Sequence, residues 1–163
     1  MTPIFKKGDK HLAENYRPVS LTCVCCKIME HIICKHVHNH LDTHNILTLV
    51  QHGFRRKHCC ESQLILTADD IPKRYNNYDQ VDVVILDISK AFDKVNHKLL
   101  LLKIGEYGID GKTRDWIAAF LHNRTQRVVV NGEFSSPSIV DSGVPQSTVL
   151  GLLLFLCYIN DLP

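Results

Sequence analysis

Apolar residues between positions 21 and 41 recur at intervals of three and four, which is the spacing of one face of an α-helix. The pattern predicts an amphipathic helix with Ser20 or Thr22 as its N-terminal cap. A helix of this kind needs a core against which its apolar stripe can pack. The stripe consists of Leu21, Val24, Ile28, Ile32, Ile33, Val37 and Leu41.

Short extended segments are expected before this helix, and a second helix after it. Residues 3–5 and 16–21 enclose a polar loop, as in a pair of short strands. Further along, a helix is predicted from Glu61 to about Ile71, where Pro72 stops or kinks it.

The second half of the chain mixes strand and helix patterns. Residues 81–86 are valine-rich with little alternation, which is typical of a strand buried on both faces, and Asp87 follows directly. Helices are predicted over 98–107 and 111–122, between glycines. Asn131-Gly132 is a strong hairpin signal between flanking β-prone residues. The apolar run from Val149 to Ile159 predicts a buried helix.

Composition supports a globular chain with an uneven charge distribution. Its 163 residues are 45% hydrophobic, which suffices for one core, and no repeat or linker divides them. Residues 1–60 carry nine Lys and Arg against four Asp and Glu, whereas 61–163 carry ten against thirteen. The basic part could attract phosphates and the acidic part cations, or both could be solvated surface.

Cysteine usage and hydropathy bear on the compartment. The seven cysteines are an odd number, some are adjacent, and no secretory signal opens the chain, so reduced thiols and an intracellular location are expected. The longest apolar stretch is about half of what a bilayer span requires, which argues against a membrane protein.

Asp87 is the first candidate for chemistry. A carboxylate at the end of a buried strand is held by a rigid core yet open to ligands. An aspartate in this position is also a common helix cap, and the strand context alone favours the cap. Asp93, six residues on, is expected to be structural or solvated.

Four segments in order resemble the reverse transcriptases of non-LTR retrotransposons. They are Asn15-Tyr16-Arg17-Pro18-Val19-Ser20-Leu21, Gln51-His52-Gly53-Phe54-Arg55, Leu86-Asp87-Ile88-Ser89-Lys90-Ala91-Phe92-Asp93 and Ser142-Gly143-Val144-Pro145-Gln146. The resemblance covers nearly the whole chain and implies an α+β, right-hand polymerase fold. Residues 1 to about 75 would belong to the fingers, and about 76–163 to an incomplete palm.

The resemblance also implies a reaction and its participants. An RNA-directed DNA polymerase joins dNTPs to a DNA primer on an RNA template, using two Mg²⁺ ions with hard oxygen ligands. By resemblance, the Asp87 carboxylate and the Ile88 carbonyl are metal ligands. Phe92 would lie beneath the sugar of the incoming nucleotide, with an ordinary core aromatic as the alternative.

Basic and amide side chains are implied around the nucleotide. Arg17, together with Lys6 or Lys7, would bind the triphosphate, and arginine suits this because its planar fork holds two phosphate oxygens. Gln146 would lie near the nascent base pair, where an amide both donates and accepts. Arg55 and Arg56 would touch the template backbone or face solvent.

Departures from the family suggest a decayed and truncated copy. The paired-aspartate block should follow Pro163, so this chain alone is expected not to polymerise DNA. Ser147 stands where the family has glycine, and Asn96 and Leu152 stand where proline is common. Two other hypotheses stay open: a non-catalytic nucleic-acid-binding module that uses the basic first half, and a relic without function.

Three further patterns are set aside. Cys23-x2-Cys26-x4-His31-x4-His36 has the spacing of a zinc knuckle, but these positions fall in a periodic helix rather than a glycine-rich loop. His36, His40 and His44 are expected on a solvated helix face. Asp69-Asp70 lacks the hydrophobic strands that flank a polymerase aspartate pair, so it is rejected as catalytic.

Overall fold

The computed structural model describes residues 1–77 and 80–162, which form an α+β fold. The three strand pairs within these residues are all antiparallel: β1 (Thr2–Phe5) with β2 (Tyr16–Val19), β3 (Arg124–Gln126) with β6 (Ser138–Val140), and β4 (Val129–Val130) with β5 (Glu133–Phe134). The helices are α1 (Val24–Thr43), α2 (Cys60–Asn77), α3 (His97–Glu106), α4 (Gly111–Leu121) and α5 (Val149–Ile159).

Helix α5 is the centre of the hydrophobic core. It packs against α1 and α3, and most of its residues are buried, as the apolar run predicts. The side chain of Thr148 caps the helix by accepting a hydrogen bond from the Gly151 amide at 3.1 Å. The core residues are Ile33, Cys34, Val37, Leu41, Leu47, Val95, Leu100, Ile104, Ile109, Ile117, Leu121, Val144, Leu150, Leu153, Leu154, Phe155 and Cys157.

Helix α1 confirms the periodicity but begins later than predicted and buries a narrower face. Cys23, rather than Ser20 or Thr22, is the N-cap: its sulfur accepts from the Cys26 amide. Ile28 and Ile32 are 57% and 49% exposed, so the expectation that they enter the core is wrong. The buried Glu30 accepts a hydrogen bond from the Leu150 amide at 3.3 Å. The side of α1 that carries Glu30 therefore faces α5.

Helix α2 passes through Pro72, so the predicted stop there is wrong. A proline removes one backbone hydrogen bond, and none of the α2 residues that the structure describes is buried. The freed carbonyl can therefore bond to water. Ion pairs Lys73–Asp69 and Arg74–Asp70 bridge this part of the helix along its exposed surface.

The predicted buried strand over 81–86 is wrong. These residues have no regular secondary structure, and Ile85 and Leu86 are 88% and 86% exposed. A strand buried on both faces needs hydrogen-bonded neighbours on both sides. The strands found in 1–77 and 80–162 form three separate pairs, and none of them pairs with residues 81–86.

The other helices and the hairpin predicted in the second half of the chain are confirmed. Helices α3 and α4 match the predicted ranges within one residue at each end. The β4–β5 hairpin turns through Asn131 (φ 51°) and Gly132 (φ 86°), the left-handed pair that an Asn-Gly turn requires. Among the described residues, no helix combines the length and the hydropathy that crossing a bilayer would need.

Candidate functional site

A cleft of about 910 Å³ opens between the β1–β2 pair, the segment 89–93 and the β4 strand. Its volume lies in the range of small-molecule sites. The lining residues are Met1, Pro3, Lys6, Lys10, His11, Ala13, Glu14, Asn15, Tyr16, Pro18, Ser89, Lys90, Asp93, Val128, Val130 and Gln146.

Three exposed lysines line the cleft, together with the carboxylates Glu14 and Asp93. Lys6 follows β1 directly, and its amide donates to the Asn15 carbonyl at 2.9 Å, which fixes the start of the loop. Lys10 lies on that loop with its ammonium 5.7 Å from the centre of the Phe5 ring. Lys90 lies on the segment 89–93 and has a left-handed backbone conformation, with φ 54°. Neither Lys10 nor Lys90 is predicted from the sequence as a site residue, although Lys90 lies inside the Asp87 segment.

Gln146 and Asp93 form the polar floor of the cleft. The Gln146 amide nitrogen donates to the Asp93 carboxylate at 3.0 Å, and the Gln146 carbonyl accepts from the Ser20 amide at 3.2 Å. Gln146 therefore ties the end of β2 to the segment that carries Lys90. Asp93 has a structural partner, in line with one of the two roles expected for it.

The loop over 142–146 is held tightly against residues 92–97. The Gly143 amide donates to the Val95 carbonyl at 2.8 Å, and the Val144 amide donates to the Phe92 carbonyl at 2.9 Å. The buried His97 ring bonds to the Gly143 carbonyl at 2.8 Å. These contacts set the position of Gln146 without help from its own side chain.

A second, smaller hollow of about 280 Å³ lies on the other side of Gln146 and Asp93. Arg124, at the start of β3, is part of its lining. Burial lowers the pKa of the Arg124 guanidinium, and the nearby Glu30 carboxylate opposes this effect. Arg124 keeps its charge near neutral pH. Asp93 and Asp141 also line this hollow, so it carries charges of both signs.

The residues expected at the triphosphate are not all in the cleft. Lys6 lines it, whereas Lys7 and Arg17 do not. Tyr16 and Pro18 face the cleft, and successive residues of a strand alternate sides, so Arg17 lies on the opposite face of the β1–β2 pair. Its exposed side chain is free to contact a ligand there.

Phe92 packs into the core instead of lining the cleft. Its ring stacks on Phe155 with centroids 4.1 Å apart, and the edge of Phe54 approaches to 6.0 Å. These contacts match the core-aromatic alternative, and the side chain of Phe92 is partly exposed.

Asp87 and Ile88 lie on an exposed stretch beside the cleft. Asp87 is exposed and Ile88 is 50% exposed. Across the described part of the chain, no group of three or more His, Cys, Asp or Glu residues converges as a metal site would require. The donors that this structure brings together therefore do not fit a two-Mg²⁺ centre.

Arg55 and Arg56 differ in their surroundings. The Arg55 guanidinium donates to the Thr48 carbonyl at 2.6 Å, and so it anchors the loop after α1. Arg56 is exposed and available to a nucleic-acid backbone or to solvent.

Ser147, which stands where the family has glycine, adopts a backbone conformation that favours glycine. Its φ is 66°, in the left-handed region where a side chain costs about 1 kcal/mol. Ser147 directly follows Gln146, so this strain is stored beside the floor of the cleft.

Comparison with known proteins gives consistent matches. The model of the family described as reverse transcriptase (RNA-dependent DNA polymerase) matches residues 4–163. Three relatives come from Drosophila melanogaster. The probable RNA-directed DNA polymerase from transposon BS is 30% identical, and that from transposon X-element is 32% identical. The RNA-directed DNA polymerase from mobile element jockey is 33% identical.

These alignments cover most of the chain and little of each relative. They span 92%, 91% and 92% of the chain for the BS, X-element and jockey proteins. In each case they span 16% of the relative's own length.

Proposed function

The chain belongs to the reverse transcriptase (RNA-dependent DNA polymerase) family, and on that premise we propose that its cleft binds the triphosphate of a dNTP during RNA-directed DNA synthesis. The observation that carries this proposal is the wall of Lys6, Lys10 and Lys90 above the Gln146–Asp93 floor. Fixed cations suit a ligand that carries several negative charges.

The roles within the cleft follow from its geometry. Lys6 and Lys90 belong to different segments that line the same cleft, so together they can hold a phosphate chain. Gln146 has its amide nitrogen engaged by Asp93, so its side-chain oxygen remains as an acceptor for a base or sugar. Arg17 lies on the other face, where it contacts a phosphate only if the ligand reaches around the edge of the β1–β2 pair.

The wider assignment is part of the same proposal. Residues 1 to about 75 act as fingers and about 76–163 as palm, with Arg56 and Lys7 on surfaces that an RNA template or a DNA primer can reach. We assign Asp87 and the Ile88 carbonyl to one part of a divalent-metal site; by themselves they do not form a two-ion centre, and triphosphate binding in the cleft does not depend on them. Phe92 supports the cleft from the core side. The setting is intracellular, as for the replication of a mobile element.

Nucleotide binding tests the proposal directly. Titration of the chain with dTTP at low salt, followed by fluorescence anisotropy or calorimetry, should give saturable binding. We expect Lys6→Glu and Lys90→Glu each to weaken it by about tenfold, because a charged hydrogen bond contributes roughly 1.5 kcal/mol. The matched control is Lys112→Glu, which changes an exposed lysine on α4 outside the cleft.

The control and the alternative make this test decisive. Equal weakening in Lys112→Glu would reduce the effect to net charge and remove the proposal. If RNA bound with strong salt dependence while dTTP did not bind at all, the nucleic-acid-binding module would be the better description. Thymidine without phosphates should bind far more weakly than dTTP, since the lysines act on the phosphate charge.

Primer extension tests the catalytic part separately. We expect no extension of a DNA primer on an RNA template by this chain with Mg²⁺, because its described carboxylates do not converge on one site. Detection of labelled product by gel electrophoresis, and its loss in Asp87→Ala, would contradict this expectation. A signal that persists in Asp87→Ala indicates a contaminating polymerase, so the variant serves as the control.

A further inference from the structure

Two thiols meet at the first turn of α1, outside the cleft. The sulfur atoms of Cys23 and Cys26 are 3.3 Å apart, and both residues are exposed. Cys23 is the N-cap and Cys26 lies three positions on, so the start of the helix holds the two side chains on the same side. Nucleotidyl transfer does not require a pair of thiols.

The pair has the division of roles that thiol exchange needs. The Cys26 amide donates to the Cys23 sulfur at 3.4 Å, and this hydrogen bond, together with the contact between the two thiols, lowers the pKa of Cys23. The same contact with Cys23 raises the pKa of Cys26. Cys23 is thus the better source of an attacking thiolate, and Cys26 keeps its proton until a disulfide forms beside it.

We propose that Cys23 and Cys26 form a reversible dithiol–disulfide pair that exchanges with small-molecule disulfides of the glutathione type. The Cys23 thiolate attacks one sulfur of the disulfide, which releases one thiol and leaves a mixed disulfide. Cys26 then loses its proton, attacks the Cys23 sulfur and displaces the second thiol. Two protein thiols are oxidised to one disulfide, and the small disulfide is reduced to two thiols.

The other cysteines lack this arrangement. Cys25 and Cys26 are neighbours, and a Cα separation of about 3.8 Å is shorter than the 4.4–6.8 Å usual for a disulfide. Cys34 and Cys157 are buried, and burial raises the pKa of Cys157 to about 12. Both should be unreactive in the folded chain.

Helix α2 contains a natural counterpart of the same turn. The Cys59 sulfur accepts from the Ser62 amide at 3.4 Å, the same distance and spacing as at Cys23, but the third position holds a hydroxyl. Cys59 is therefore a helix-start thiol without a resolving partner at that position. It should stop at the mixed disulfide.

Oxidation would fix the turn that joins β2 to α1. This turn begins at Ser20, whose amide donates to the Gln146 carbonyl at the floor of the cleft. A disulfide between Cys23 and Cys26 would hold the first turn of α1 closed, next to that contact. The effect would therefore be local to the edge of the candidate site.

The test is equilibration of the reduced chain with mixtures of reduced and oxidised glutathione, acid quenching, alkylation and mass spectrometry after trypsin. The peptide 11–27 contains Cys23, Cys25 and Cys26. We expect it to become two hydrogen atoms lighter, and to do so equally in Cys25→Ser. In Cys23→Ser and Cys26→Ser it should carry glutathione instead. The peptide 58–73 should carry glutathione, and Ser62→Cys should convert it to the internal disulfide.

Repeating the equilibration in concentrated urea shows whether disulfide formation depends on the fold or only on the local sequence. The helix holds the two sulfurs together, so the exchange constant should fall by about tenfold when the chain unfolds. An unchanged constant in urea would overturn the proposal, as would the absence of an internal disulfide at every glutathione ratio. A disulfide through Cys25, or bound zinc that prevents oxidation of the pair, would also overturn it.

Discussion

Gly143→Ala is expected to destabilise the chain by about 3 kcal/mol. Gly143 has φ 84°, and a Cβ there would lie 2.8 Å from the Asp93 Cα and 2.9 Å from the Asp93 carbonyl oxygen. Both obstacles are backbone atoms, so the loop over 142–146 must move away from residues 92–95. The loss combines overpacking with left-handed strain. Urea unfolding followed by circular dichroism measures it.

Gly132→Ala is the matched control for this prediction. Gly132 has φ 86°, almost the same conformation, but a Cβ there meets nothing within 4 Å in the described structure. Its cost should be the strain alone, about 1 kcal/mol. The difference between the two variants isolates the contact with Asp93. Equal losses would mean that the loop is not pressed against that segment. Nucleotide binding should also weaken in Gly143→Ala alone, since Gln146 moves with the loop.

Gly151→Ala is expected to have a similar or larger effect, about 3 kcal/mol or more. A Cβ on Gly151 would overlap the Pro145 carbonyl oxygen and lie 2.7 Å from the Thr148 hydroxyl oxygen. That hydroxyl caps α5, and it also donates to the Pro145 carbonyl at 3.0 Å. The methyl group would therefore break the cap of the central helix. Thermal and urea unfolding should both report the loss.

Gly105→Ala is the comparison variant, and it is expected to stabilise the chain rather than destabilise it. Gly105 lies inside α3, and a Cβ there would first meet the flexible end of Arg114 at 3.4 Å. Alanine is the better helix former, so this variant should gain about 0.5–1 kcal/mol. If Gly151→Ala also stabilised the chain, the close approach of α5 to Pro145 would be wrong. If it prevented folding altogether, the loss would exceed the whole stability of the chain, in the predicted direction.

Helices and tight turns could be predicted from the sequence because their causes are local. The run 149–159 is apolar throughout, and α5 has those bounds. Asn131-Gly132 specifies its own turn, and the hairpin is present. In both cases the residues that decide the conformation are neighbours in the chain.

Features that depend on distant partners could not be predicted. The run 81–86 has the composition of a buried strand, but composition does not supply the neighbouring strands that such a strand requires. The buried face of α1 is set by Glu30 and Leu150, which are 120 positions apart. The periodicity predicts that α1 has an apolar face, without saying which of its isoleucines face α5.

Some residues of the candidate site could likewise be predicted from the sequence, and others could not. Family resemblance indicates Lys6 and Gln146, and both line the cleft. It also indicates Arg17 and Phe92, yet strand alternation turns Arg17 to the other face and stacking on Phe155 draws Phe92 into the core. Lys90 and the Asp93–Gln146 bond depend on a left-handed residue and a contact over 53 positions, neither of which a local pattern reveals.

The hydrogen bond between Glu30 and Leu150 can form only after both residues have been synthesised, so α1 is made well before its partner helix α5. Ribosomes add roughly 5–20 residues per second, so the 120 positions between these partners take roughly 6–24 s to synthesise. During that interval the apolar face of α1 has no α5 to cover it. The nascent chain must keep this face from self-association until translation delivers its partner, and this is a step at which a chaperone would have time to act.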